Sequence, residues 1–222
     1  TLIVLAGGCL QSSMVSACHD YSDAPGYLSA YHNGQDYGYL GNWFDWESKA
    51  DYQEDGKDTD FDGIDGDKYD DGLYSATLSN YTWIVTPGEN ALLTFTARQL
   101  SYTPRLNYVN IWIDWNKNKN WEDNERINRW DVWVPEKGKS TSVNFSVPIP
   151  INFSGETWLR ARISSSYNCF TPYTSYECFK GEVEDYKVVS SPIHPPVIPE
   201  PGTLLLLGSG LIGLGGRYLR KR

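Results

Sequence analysis

The sequence predicts an all-β fold, an antiparallel β-sandwich of Ig-like or jelly-roll-like kind. Three observations lead there. Apolar and polar side chains alternate with a period of two over several short stretches. Turn signals separate those stretches. The composition is aromatic, with nine Trp, sixteen Tyr and seven Phe in 222 residues, while helical periodicity is weak between the two ends of the chain.

Taken in chain order, segment 81–86 is the first strand. Leu93-Thr94-Phe95-Thr96-Ala97-Arg98 places its apolar side chains on one face. Val109, Ile111 and Ile113 repeat the pattern with Asn110 and Asp114 on the other side. Val143, Phe145 and Val147 alternate with Ser142, Asn144 and Ser146, and Leu159, Ala161 and Ile163 alternate with Arg160 and Arg162. Segment 183–189 closes the series. Each reads as a half-buried strand. Pro87-Gly88, Lys137-Gly138 and Ser154-Gly155 break the chain between them. Six or seven short strands result. Long acidic loops and a short C-terminal hydrophobic helix lie outside the sandwich.

Acids outnumber bases 28 to 19, for a formal charge of −9. A nucleic-acid binder would show a basic stripe instead, so that partner class is excluded. Three His and four Cys leave little room for zinc, haem or Cys/His catalysis. No nucleophile elbow and no Gly-rich phosphate loop occurs.

The two ends read as addresses. Residues 1–17 form an apolar run followed by small polar residues, the tail of a secretory signal. Val15-Ser16-Ala17 suits a signal peptidase. Val15-Ser16-Ala17-Cys18 also has the form of a lipobox, which would put a lipid on Cys18. Either implies an oxidising compartment. At the other end, Thr203–Gly216 carries no charge. At about 1.5 Å per residue its 14 residues span roughly 21 Å, short of a hydrocarbon core of about 30 Å, so a membrane helix there relies on Leu219 and snorkelling Arg side chains. Arg217, Arg220, Lys221 and Arg222 follow it, and the positive-inside rule leaves this tip cytoplasmic and the acidic bulk outside. Without those four positive charges the remainder moves from −9 to −13, a balance that favours divalent cations over phosphate partners. Residues 190–198 hold the Pro-rich, extended linker. Residues 18–189 are left for the folded domain, with an acidic N-terminal part at 18–73.

Pro199-Glu200-Pro201, the short Gly/Leu-rich apolar stretch and the Arg-rich tip together resemble the PEP-CTERM sorting signal of Gram-negative bacteria, here residues 199–222. The resemblance implies processing by an exosortase-type membrane protease, attachment to the membrane through the C-terminal helix before processing, and export to the cell surface, the outer membrane or the exopolysaccharide matrix. A plain C-terminal anchor shares the same topology.

Three constellations invite chemistry. From Asp45 to Gly72 there are twelve acids against three lysines. The densest part places Asp58, Asp60, Asp62, Asp65 and Asp67 among glycines, a set of hard oxygen ligands suited to Ca²⁺; a solvated acidic loop is the alternative. In Asp114–Glu125, oxygen side chains stand at positions one, three, five, seven, nine and twelve: Asp114, Asn116, Asn118, Asn120, Glu122 and Glu125. That is the EF-hand spacing, although Lys119 occupies the position that calls for Gly and the flanks are strands. The other reading is an Asn-rich turn whose side chains bond their own backbone. The third is Gly181-Glu182-Val183-Glu184-Asp185-Tyr186. Its carboxylates suggest catalysis, but Glu182 and Glu184 share one strand face and a glycosidase needs two carboxyls across a cleft.

Gly181–Tyr186 matches the signature of the GEVED domain, a β-rich module of secreted bacterial proteins. Ile113-Asp114-Trp115-Asn116 with Trp121 and Glu125 resembles the Trp/Asp/Asn loop of that family. Arg160-Ala161-Arg162-Ile163-Ser164 resembles its Arg-containing strand, and Asp20-Tyr21-Ser22-Asp23-Ala24-Pro25 its opening, with Ser22 in place of Gly. The resemblance implies fold and location more than activity. It implies that Glu182 or Glu184 pairs with Arg160 or Arg162 as a structural contact. Lys117 and Lys119 stand where similar loops are more acidic.

Cys169 and Cys178 bracket a polar, aromatic loop. A disulfide between them suits an exported protein, and a two-cysteine metal site is the alternative. Trp43, Phe44 and Trp46 form one aromatic cluster, and Trp112, Trp115, Trp121, Trp130 and Trp133 another; such residues either stack on sugars or fill a core. The sequence thus leads to an exported, non-enzymatic, calcium-stabilised structural or adhesive protein of the extracellular matrix. Recognition of exopolysaccharide through exposed Trp and Tyr is the second reading, and a glycan hydrolase the third. Surface proteins and polysaccharide are the expected partners.

Overall fold

The computed structural model describes residues 19–22, 24–28, 30–33, 38–42, 71–169, 171–173 and 181–192. Within them the chain is almost entirely strand and turn, as the alternation predicts. The strands are β1 (His19–Tyr21), β2 (Tyr31–Asn33), β3 (Gly38–Leu40), β4 (Leu73–Tyr74), β5 (Leu78–Ser79), β6 (Thr82–Val85), β7 (Asn90–Gln99), β8 (Arg105–Ile113), β9 (Arg126–Val134), β10 (Thr141–Pro148), β11 (Glu156–Ser164) and β12 (Gly181–Ser190). A 3-10 turn, Asp123–Glu125, precedes β9.

Two sheets make the sandwich. One runs β10-β7-β3, with β4 also on β7; the other runs β5-β6-β12-β11-β8-β9; β1 and β2 form a separate ribbon. Neighbours are antiparallel except β6 and β12, which pair in parallel, Val188 against Trp83. The alternating apolar faces meet between the sheets. Leu93, Phe95 and Ala97 of β7 pack with Val109, Ile111 and Ile113 of β8, with Leu159, Ala161 and Ile163 of β11, and with Trp83 and Val188. Gly88, Gly138 and Gly155, the predicted turn glycines, all take positive φ.

Two features depart from the expectation. β9 carries charges at Arg126, Arg129 and Asp131 within its nine residues, and a strand with that pattern gives no clean period of two. The polar alternation of Arg160 and Arg162 also does not face water. Both arginines are wholly buried, together with Asn110, Trp112 and Asp185. A second apolar cluster of Ala24, Tyr27, Trp112 and Trp121, with Trp158 against it, lies apart from the main core. The six-stranded sheet is therefore covered on both faces along β8, β11 and β12. Alternation tells which residues share a side, not whether that side is wet.

The chain divides into two compact units, Thr1–Ser191 and Pro192–Arg222. The first carries every described strand. Among the described residues no helix is long and apolar enough to cross a membrane. The stretch Thr203–Gly216, Pro199-Glu200-Pro201 and Cys18 lie outside them, as do Asp58, Asp60, Asp62, Asp65, Asp67 and Cys178.

β12 begins at Gly181, opposite Ser164. Its φ is +152°, and a Cβ there would collide with the carbonyl of Ile163. Gly181→Ala is expected to destabilise the domain by about 1–3 kcal/mol, the scale of a non-glycine residue forced into a disfavoured backbone region. Urea denaturation followed by tryptophan fluorescence measures it.

Candidate functional site

The signature Gly181–Tyr186 divides by strand parity. In the β11–β12 ladder Glu182 lies opposite Ile163, Glu184 opposite Ala161 and Tyr186 opposite Leu159, whereas Val183 lies opposite Arg162 and Asp185 opposite Arg160. Directly opposed residues share a face. Glu182, Glu184 and Tyr186 therefore lie on the core side, and Asp185 lies with the arginines.

This parity corrects the expected pairing of Glu182 or Glu184 with Arg160 or Arg162, because the carboxylate partner of Arg160 is Asp185. Its guanidinium donates from Nε to Asp185 Oδ1 and from Nη2 to Oδ2, both at 2.8 Å. Nη1 donates to the carbonyls of Leu28 (2.9 Å) and Pro172 (3.0 Å). The same guanidinium lies 4.0 Å from the Trp121 ring, and Asp185 Oδ2 accepts the N–H of Ala24 at 2.9 Å. Arg162 donates from Nε to His32 Nε2 at 3.1 Å and from Nη1 to the carbonyl of Thr171 at 2.8 Å. Two buried arginines thus tie the opening segment and the 165–173 segment to the sheet. In the opening, Ser22 adds what a glycine there would lack: its hydroxyl accepts the Ala30 N–H at 2.7 Å, while its own N–H donates to the Ala30 carbonyl.

On the core side the carboxylates grip two strand ends. Glu182 accepts the N–H of Leu40. Glu184 accepts the N–H of Gly72 at 3.0 Å and the hydroxyl of Tyr186 at 3.1 Å. The Tyr186 hydroxyl oxygen accepts the N–H of Leu73 at 3.1 Å. Beside them Asp71 accepts from the N–H (2.8 Å) and the Nδ2 (3.0 Å) of Asn42. Leu40 and Gly72 flank the acidic segment 43–70, so the signature clasps its neck. Glu182 and Glu184 are both fully buried, and these main-chain bonds account for carboxylates that sequence reasoning considered for catalysis.

The Asp114–Glu125 loop is brought together as one hydrogen-bonded unit. Asp114 Oδ2 accepts the Lys119 N–H (2.9 Å) and the Tyr27 hydroxyl (2.6 Å), and its Oδ1 accepts the Asn118 N–H (3.2 Å). Asn116 Oδ1 accepts from Asn118 N–H, and Asn118 Oδ1 from Asn120 N–H. Glu125 accepts from the N–H groups of Asn116 and Glu122, both at 3.2 Å. The amides of Asn116 and Asn118 both donate to Glu122. Lys117 and Lys119 each take a φ of +61°. Lys119 thereby adopts the turn expected of the glycine it replaces. Their ammonium groups leave the loop: Lys117 donates to the Ser154 carbonyl, and the Lys119 ammonium lies where a side chain on Gly26 would stand. Burial raises the Glu125 carboxyl above its ordinary value of 4.5, against the lowering effect of its two N–H donors. Burial, then the Asp114 hydrogen bond, raises the Tyr27 hydroxyl. Among the described residues no three His, Cys, Asp or Glu side chains gather as a metal site; the remaining oxygens of this loop are amide oxygens.

The opening segment, the Asp/Asn/Trp loop, the Arg-containing strand and the signature therefore meet on one sheet. Tyr27, whose ring stacks on Trp121 at 4.2 Å, is the piece that sequence reasoning missed. Residues 108–189, from β8 to β12, match the family model of the GEVED domain. The chain carries a GEVED domain. Residues 197–221 match the PEP-CTERM protein-sorting motif, which marks an exported protein of the cell envelope or exterior whose processing enzyme is an exosortase. The matched models point to a sorting signal and a non-catalytic domain. No curated protein matches the chain significantly. Among solved structures, the CARDB domain of the PF1109 protein from Pyrococcus furiosus, in complex with di-metal ions, is 13% identical over 53% of this chain and 87% of its own, with a TM-score of 0.35. A cycloisomaltooligosaccharide glucanotransferase from Paenibacillus sp. is 14% identical over 55% of this chain and 14% of its own, at 0.32. A beta-glucosidase from Listeria innocua is 10% identical over 55% and 16%, at 0.31. Likenesses this weak carry no argument.

Cys169 is buried; its predicted bridge to Cys178 lies outside the described residues with Cys178. Of the described tryptophans, Trp83, Trp112 and Trp121 are buried, Trp115, Trp130 and Trp158 are half-buried, and Trp133 is 62% exposed. Most of this aromatic content fills the GEVED domain rather than lining a sugar platform.

Asp185→Ala leaves the Arg160 guanidinium buried without its carboxylate. A loss of about 3–5 kcal/mol is expected, larger than for Glu182→Gln, which keeps an oxygen for the Leu40 N–H. Parallel denaturant titrations of the two variants give the comparison.

Proposed function

We propose that this chain is a structural or adhesive component of the extracellular or exopolysaccharide matrix, delivered there after an exosortase trims its C-terminal signal. The observation that carries the reading is the fate of the signature carboxylates. Glu182, Glu184 and Asp185 are wholly buried and are spent on the neck of the acidic segment, on Arg160 and on the opening. The densest chemistry of the domain thus holds its own parts. Such a domain displays an acidic surface rather than turning over a substrate.

Calcium belongs to the same proposal. Asp58, Asp60, Asp62, Asp65 and Asp67 would supply carboxylates, and Asp114, Asn116, Asn118, Asn120, Glu122 and Glu125 a mixed carboxylate and amide set. What supports it is the EF-like order of oxygens, the hydrogen-bonded closure of the loop and the outward course of both lysines. Recognition of exopolysaccharide rests on Trp133, which stands exposed opposite Leu106. It is the weaker reading, because one exposed ring offers a single stacking platform.

Two experiments test these readings. In a host with an exosortase, the chain is expected in the matrix fraction with its C-terminal signal removed. Glu200→Ala, or loss of the exosortase, should leave it uncut in the membrane fraction, as read by intact mass after fractionation. An untrimmed chain in the matrix would overturn the reading. For calcium, saturation at about 100 times the Kd should stabilise the protein by about 2.7 kcal/mol. Glu125→Gln should weaken that gain, and a chelator should abolish it; melting curves with and without calcium decide the matter.

A further inference from the structure

The two sheets end on strands that are guarded differently. β9 ends the six-stranded sheet. Its Arg129 N–H is capped by Asn128 Oδ1 at 2.8 Å, its Trp133 carbonyl accepts the Thr141 hydroxyl at 2.9 Å, and Arg129 and Asp131 place charges along it. These are the devices that keep a sheet edge from adding a foreign strand.

β10 ends the four-stranded sheet and has almost none of them. Its sequence, Thr-Ser-Val-Asn-Phe-Ser-Val-Pro, carries no charge, and only Pro148 at its end is protective. Among the described residues it pairs with β7 alone, Val143 opposite Phe95 and Phe145 opposite Leu93. The direction of its main chain follows from β7. Thr96 gives its N–H to the Gly72 carbonyl and its C=O to the Gly41 N–H, both on the side away from β10. Successive residues of a strand turn their main-chain groups to opposite sides. Ala91, Leu93, Phe95 and Ala97 thus turn theirs to β10, and Val147, Phe145, Val143 and Thr141 turn theirs to β7. Ser142, Asn144 and Ser146 are left with their N–H and C=O groups directed outward, and all three residues are exposed.

This edge is complementary to itself. A second copy laid antiparallel with Asn144 opposite Asn144 sets Ser142 opposite Ser146, and each outward N–H meets an outward C=O. On the core side Val143 falls opposite Phe145 of the second copy, a β-branched and aromatic pair of the kind that stabilises adjoining strands. Both are only half-buried in one copy. On the outer side hydroxyls and amides oppose one another. For a chain of formal charge −9, an uncharged strand is where two copies approach with least repulsion, and the arrangement closes as a two-fold dimer. We propose that β10 is a self-association edge: two copies join β10 to β10 about Asn144 and fuse their four-stranded sheets into one. This goes beyond the matrix reading and stands on the sheet geometry alone.

The test is sedimentation of the chain as recovered from its host, as wild type and as two variants. The wild type should sediment at twice the mass of one chain. Asn144→Pro places a ring on the two-fold axis and removes an outward donor, at no cost to the β7 ladder. Asn144→Asp is isosteric, keeps an acceptor for the Thr94 hydroxyl that Asn144 now bonds at 2.7 Å, and sets two like charges face to face. Both should sediment as monomers at wild-type dimer concentrations, with unchanged near-UV circular dichroism, and added salt should restore association of Asn144→Asp only. Should Asn144→Pro fail to fold, Asn144→Asp decides alone. A wild-type chain that stays monomeric at its highest soluble concentration, or a dimer that survives in the variants, overturns the proposal. Export and trimming are read separately by intact mass, so a monomer that is still exported sinks this inference and spares the other.

Discussion

A guanidinium and a carboxylate buried together on the back of the six-stranded sheet set the conditions for everything laid over that sheet. Taking two such charges out of water costs several kcal/mol each, and only close geometry with further hydrogen bonds offsets it. Arg160 and Asp185 have both: two parallel contacts of 2.8 Å, two carbonyl acceptors, one main-chain donor and an aromatic face. Because those extra partners belong to Leu28, Pro172 and Ala24, the pair is comfortable only when the opening and the 165–173 segment are in place. Coverage of the sheet and burial of the charges are one event.

The same strand governs the other side of the sheet. Parity sends Glu182, Glu184 and Tyr186 inward, where they meet the main chain at Leu40, Gly72 and Leu73. Six consecutive residues thus secure three distant stretches of chain, with Asp185 facing one way and the glutamates the other. The long sequence separations of these contacts, 161 residues between Ala24 and Asp185 and 142 between Leu40 and Glu182, make the domain one whose parts assemble late in folding.

Much of the sandwich was legible because an apolar face set against a polar one leaves a period of two in β7, β8, β10 and β11, whether the polar face is wet or, as along β8 and β11, buried. What escaped has physical reasons. β9 mixes charges with its aromatic residues, and β1 to β5 are two or three residues long, too short for any period. The partners of Arg160 escaped because register, not composition, decides which carboxylate stands opposite. Tyr27 gave no signal, since a lone tyrosine in a loop looks like any other until Trp121 and Asp114 are seen beside it. The loop at Asp114–Glu125 was legible as a closed turn of oxygen side chains, and its Asn-to-backbone bonds follow from the residues alone. The acidic cluster around Asp58–Asp67 stands on composition, which says which ligand chemistry is abundant and not how it is arranged.

The clasp at Leu40, Asn42, Asp71 and Gly72 has a corollary for how this architecture tolerates change. When both feet of an excursion are bonded to each other and to a rigid strand, the entropy of closing it grows only with the logarithm of its length, about 0.6 kcal/mol for each doubling. A change in the length of what it closes therefore costs less than a change at Leu40, Asn42, Asp71 or Gly72 themselves, where main-chain bonds to buried carboxylates and the Asn42–Asp71 contact would be lost.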